Sequence, residues 1–150
     1  MKAELAAWNN GLGIDLESWV GCAGNFRLAV GCAAIFWPEF VEFEDYILRA
    51  GFSVESLRGF EAQEAHDRAA VESVMNHVHI ADIQYLGCPD ASKDKLLRFG
   101  TTLKEIHEAK LQWKFPDRRF RVSLFVPEDG SDFMAYELTF WQQDNESSPV

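Results

Sequence analysis

His77-Val78-His79 is the spacing in this chain best suited to metal chemistry, because residues two apart on a strand point to the same face. Asp82 follows on the opposite face of that strand. A mononuclear site would need a third ligand from His66, His107 or a distant carboxylate, and no recognisable spacing supplies one. A His-x-His pair also occurs in large barrel hydrolases, but that fold needs well over the 150 residues present. A hydrogen-bonded or surface histidine pair is therefore expected, with no bound metal and no cofactor.

Carboxylates recur at a spacing of three in Glu39, Glu42 and Asp45, and again in Glu61, Glu64 and Asp67. The Glu-x-x-His pairing of di-iron bundles is missing, so both sets read as solvated helix faces. Nucleophile and phosphate motifs are also missing: there is no Gly-x-Ser-x-Gly elbow and no Walker loop, and Gly11-Leu12-Gly13 is too short to cradle a phosphate. Cys88, before Pro89, lacks a defined basic partner that would make it a reactive thiolate. No catalytic residue is assigned.

Charge and composition narrow the choice of partner. The chain has formal net charge -10 and sequence pI ≈ 4.8, yet carries 12 Phe and 5 Trp. Acidic disordered chains lack such aromatics, so this chain folds. Its negative field disfavours nucleic acid and anionic membranes and favours a basic protein. Residues 1–75 hold 5 basic and 12 acidic residues (net -7), and 76–150 hold 9 and 12 (net -3). Lys110, Lys114, Arg118, Arg119 and Arg121 cluster where a helix C-terminus meets a strand, and part of that cluster compensates the helix dipole. Cys22, Cys32 and Cys88 form no Cys-x-x-Cys pair, which points to a reducing compartment; with no signal-like apolar segment at 1–7, a cytoplasmic location is expected. The apolar stretch from Leu28 to Trp37 is too short to span a bilayer.

The elements that position these residues read as follows. Asp15 caps a short helix over 16–20 and Asn25 caps another running to Phe36, with Gly21 and Gly24 marking the break. A helix over 38–50 follows, with Phe40, Phe43 and Ile47 on one side, Glu39, Glu42 and Asp45 on another, and Gly51 as its C-cap. Trp37 starts that helix, either as a buried anchor or as part of a recognition surface. Ser53 caps a further stretch, residues 61–78 carry a weak helical stripe, and 79–86 alternate as a strand. Ser92 caps a helix reaching about Trp113.

The alternation in 119–126 and 133–141 predicts a terminal hairpin closed by a three-residue loop ending in a left-handed Gly130. That loop sets Leu124 opposite Met134, Val122 opposite Tyr136, Phe120 opposite Leu138 and Arg121 opposite Glu137. Strand 79–86, helix 92–113 and strand 118–126 form a right-handed crossover if the two strands are parallel.

The fold class that results is α+β, a single domain over 1–150 with a frayed tail at 144–150. Its helical N-terminal half packs on a small, mostly antiparallel sheet that includes the C-terminal hairpin. Unless a helix covers them, Phe125, Phe133 and Trp141 form an outward aromatic patch beside Arg119 and Arg121. The expected activity is a cytosolic acidic protein-binding module, an immunity-type inhibitor of a basic toxin or enzyme. Its contact residues are Glu39, Glu42, Asp45, Phe125, Phe133 and Trp141. The alternatives are a small hydrolase-like enzyme using carboxylates and histidines, and a structural or regulatory subunit.

Overall fold

The computed structural model describes residues 1–64, 67–84, 90–129 and 132–145. The chain divides into two compact units, Met1–Phe36 and Trp37–Val150. Together they are α+β, with two small antiparallel sheets.

The first unit is helical: α1 (Lys2–Ala6), α2 (Trp8–Gly11), α3 (Leu16–Ala23) and α4 (Phe26–Phe36). Asp15 caps α3 by accepting from the Ser18 backbone N–H at 2.9 Å, and the Ser18 bonds hold its carboxyl below the usual range. Asn25 accepts from the Leu28 N–H at 3.0 Å at the head of α4, and Gly24 ends α3. None of these four helices contains a buried residue. Trp19, Val20, Phe26, Leu28, Cys32 and Phe36 line an open cleft of about 460 Å³.

The second unit opens with a correction. Residues 38–50 are not a helix but a hairpin of β1 (Phe40–Phe43) and β2 (Tyr46–Arg49), paired with Phe43 opposite Tyr46 and Phe40 opposite Arg49. Glu44 and Asp45 turn the chain at φ 50° and 68°, the left-handed pair that a two-residue type I′ turn requires. Both faces of the hairpin are used. Tyr46 and Leu48 pack with Leu57 and Val71, while Phe40 meets Phe140 edge-on at 4.9 Å. Gly51 has positive φ, but it follows a strand rather than a helix.

Helix α5 (Val54–Gln63) is capped by Ser53 as expected. The stripe over 61–78 breaks, with Asp67 capping a separate α6 (Arg68–Met75); Ala65 lies outside the described residues. The strand expected over 79–86 shortens to β3 (Val78–His79) and then turns into a 3₁₀ segment, Ala81–Gln84; residues 85–89 lie outside the described residues. Helix α7 (Lys93–Lys114) matches its expected bounds, although Ser92 bonds Asp94 rather than a backbone N–H. Its Gly100 crosses β4 closely, since a Cβ there would fall 2.8 Å from Leu124 Cδ1.

The terminal hairpin is formed by β4 (Phe120–Phe125) and β5 (Glu137–Gln142), in a register four residues from the expected one. Leu124 faces Leu138, Val122 faces Phe140, and Arg121 faces Trp141 rather than Glu137. The parity survives, so the apolar sets still share a face. The loop between the strands is longer and holds a 3₁₀ turn, Phe133–Ala135; Gly130 lies outside the described residues. The sheet order is β3-β5-β4, so β3 and β4 run in the same direction but are separated by β5, and every pairing is antiparallel. The tail expected to fray from 144 begins in a 3₁₀ turn, Gln143–Asn145, and 146–150 lie outside the described residues.

Helix α6 joins the two sheets. Alternate residues of an antiparallel strand turn their N–H and C=O toward the same edge, and both β2 and the far end of β5 leave such groups unpaired by strand bonds. Buried Glu72 accepts from Ile47 N–H at 2.8 Å and Gln142 N–H at 2.7 Å, and buried Asn76 accepts from Arg49 N–H at 3.0 Å. Asn76 also donates to the carbonyls of Ile47 at 2.9 Å and Phe140 at 3.2 Å. Two side chains one helical turn apart thus take the place of a missing strand.

Candidate functional site

Lys110 and Trp113, three residues apart, lie on one side of α7, and Trp37, just before β1, meets them there. The Lys110 Nζ lies 4.3 Å from the Trp37 ring centre and 4.7 Å from that of Trp113, and the two ring centres are 5.9 Å apart at 49°. Lys110 is only 4% exposed, whereas Trp37 is 52% and Trp113 67% exposed. The cation is therefore buried beneath two open indoles, held by their negative faces. Pro38 is buried beside Trp37 and fixes the chain where it enters β1. The outer indole surfaces remain open to another molecule.

Ion pairs extend away from this corner. Lys114 Nζ bonds Glu39 at 3.1 Å, which with the charge of Lys110 holds the Glu39 carboxyl below its usual range. Arg118 bonds both Glu42 and Gln142, and the Gln142 side chain reaches the Asp45 carbonyl at 2.8 Å. Two of the three expected acidic contact residues are consequently braces between the first hairpin and the α7–β4 segment. They are not a free negative helix face. Reversing their charge would place lysines against Lys114 and Arg118. Asp45 is exposed at the tip of the turn.

The three expected aromatics do not form one row. Phe125 is 57% exposed on β4, Trp141 is half-buried on β5 opposite Arg121, and Phe133 is half-buried in the 3₁₀ turn. Arg119 pairs with Asp144.

His77 and His79 do lie together, rings edge-on at 5.2 Å. Their Nδ1 atoms face carbonyls, Val74 at 2.6 Å and Met134 at 2.8 Å, and Glu137 lies 3.4 Å from His79. Among the described residues no group of three or more His, Cys, Asp or Glu is arranged to hold a metal ion. His107 is buried, with Nδ1 2.8 Å from the Leu103 carbonyl and its ring against Phe40; burial pushes its pKa down to about 4. Cys22 and Cys32 are free thiols, and Cys88 and His66 lie outside the described residues. Among the described residues no helix is long and apolar enough to cross a membrane.

Sequence reasoning named Lys110 only within a basic cluster and Trp113 as the end of its helix. The Trp-Lys-Trp corner depends on residues more than seventy positions apart, and the one local signal was an aromatic directly before Pro38. No family model, curated protein or solved structure matches this chain.

Proposed function

We propose that the chain is a protein-binding module that holds a basic partner, in the manner of an immunity-type inhibitor of a basic toxin or enzyme in the cytoplasm. The observation that carries this reading is the pair of exposed tryptophans pinned from below by Lys110. Tryptophan is the residue most enriched among binding hot spots, and fixing its rotamer beforehand removes part of the entropy cost of docking. The open indole faces suit an arginine or lysine of the partner. Residues 37–150 hold 12 basic and 21 acidic residues (net -9), so a basic partner is steered toward this unit.

The test compares the wild-type chain with Trp37→Ala/Trp113→Ala as baits for host lysate, read by quantitative mass spectrometry. The proposal expects a protein of pI above about 9 that wild type retains and the double variant loses. Its association should slow as salt rises, and each single truncation should weaken the purified pair by about 30-fold. A double variant that retains the same proteins as wild type, while both fold alike by circular dichroism, would reject the tryptophan corner as the site.

A further inference from the structure

The fold closes its sheet edges selectively. Glu72 and Asn76 satisfy the open groups of β2 and of the far half of β5, and β3 pairs the rest of β5. β4 is treated differently. The bond from Gln143 N–H to the Arg119 carbonyl at 2.9 Å shows that odd-numbered residues of this strand bond β5, so Phe120, Val122 and Leu124 turn their N–H and C=O to the outer edge. Among the described residues those groups have no partner. The edge is six residues long, its ladder with β5 is unbroken by a bulge, and it contains neither Pro nor Lys. Of the devices that natural sheets use to prevent edge pairing, this strand keeps a single charged side chain, Arg121.

We infer that β4 is a self-association edge whose occupant is the β4 of a second copy, paired antiparallel about a two-fold axis through Ser123. The sequence of the strand is complementary to itself in that register. Val122 and Leu124′ become a hydrogen-bonded pair, and so do Leu124 and Val122′, so four backbone bonds form at the centre. On the outward face Arg121 stands opposite Phe125′ at both ends, while the small Ser123 meets its own copy on the axis. On the inward face Val122 and Leu124′ extend the apolar layer beneath α7. The joined sheet has six strands, and its free edges are the two-residue β3 strands. A pairing through one six-residue strand makes a small interface, so the dimer is a weak one.

Each copy carries net charge -10, so like-charge repulsion opposes the approach. Added salt therefore strengthens this dimer, the reverse of its effect on a basic partner, and the two readings fail separately.

The experiment is sedimentation equilibrium of the purified full-length chain from about 10 to 500 µM, the range in which weak interfaces populate. It is run at low and high salt beside Phe125→Lys and Phe125→Lys/Arg121→Glu. Phe125 is exposed, so the first substitution spares the monomer while setting Lys against Arg121′ twice. Expected are a concentration-dependent wild-type dimer that tightens with salt, at least a tenfold weaker dimer for Phe125→Lys, and recovery in the charge-restored double variant. Hydrogen exchange should show the Val122 and Leu124 amides protected only at the concentrations that give dimer. A wild-type chain monomeric throughout the range, a dimer untouched by Phe125→Lys, or edge amides that exchange at the same rate in monomer and dimer would overturn the inference.

Discussion

Glu72 grips Gln142 twice: Oε2 accepts the Gln142 backbone N–H at 2.7 Å and Oε1 accepts its side-chain amide at 2.6 Å, while Oε1 also takes the Ile47 N–H at 2.8 Å. Glu72 is fully buried, so these bonds form away from solvent. Each of these three donors is an N–H, so both oxygens act as acceptors. In Glu72→Gln one of them becomes an NH₂ group facing another donor. The expected loss is about 2–4 kcal/mol of stability by urea denaturation, the cost of stranding buried polar groups. A variant as stable as wild type would mean that the two sheets are not joined through this carboxylate.

His107 ties stability to pH. Burial holds its pKa at about 4, against 6.5 for the exposed imidazole. Between those values the unfolded chain binds a proton that the folded chain refuses, so stability is complete near pH 7 and falls as pH drops toward 4. Below 4 both states are protonated and the loss stops. The gap corresponds to at most about 3 kcal/mol. His107→Gln, which keeps a donor for the Leu103 carbonyl, should flatten the denaturation midpoint between pH 7 and 4.5. Parallel profiles for the two proteins would show that His107 is not the group responsible.

The residues that were legible in the sequence are those whose signal is local. Asp15, Asn25 and Ser53 cap helices where their short polar side chains predict, and α7 keeps its expected bounds because an apolar face recurs over 22 residues. The hairpin of β1 and β2 was hidden for two reasons. Burial on both faces erases the alternation that marks a half-exposed strand, and Glu44-Asp45 lacks the Asn-Gly signature of its turn. For β4 and β5 the parity was readable, because one face must be apolar, but the register depended on a loop length that no residue fixes. The candidate site was the least legible part, since a corner built from Trp37, Lys110 and Trp113 has no spacing to read.

The turn at Glu44-Asp45 gives a third test. Asp45 sits at φ 68° with an exposed side chain, while the turn is held by Arg68 on the Glu44 carbonyl at 2.6 Å and by Gln142 on the Asp45 carbonyl. Asn tolerates the left-handed region and a β-branched residue does not. Asp45→Asn should leave the melting temperature unchanged, and Asp45→Val should cost about 1–2 kcal/mol. Equal stability of the two would mean that the turn adopts another conformation in solution.

The tryptophan corner can be checked without any partner. Lys110 owes its burial to two indoles that are themselves exposed, so its ammonium is shielded from reagents although α7 lies at the surface there. Lysine acetylation read by mass spectrometry should label Lys110 several-fold more slowly than Lys104 on the same helix, whose side chain is 40% exposed. Trp113→Ala removes one wall of the shelter and, because Trp113 is mostly solvated, should cost little stability. In that variant Lys110 labelling should rise toward the Lys104 rate, while the other lysines keep theirs. Lys110 reacting as fast as Lys104 in the wild-type chain would mean that the indoles do not close over it, and the preformed anchor on which the binding proposal rests would be lost.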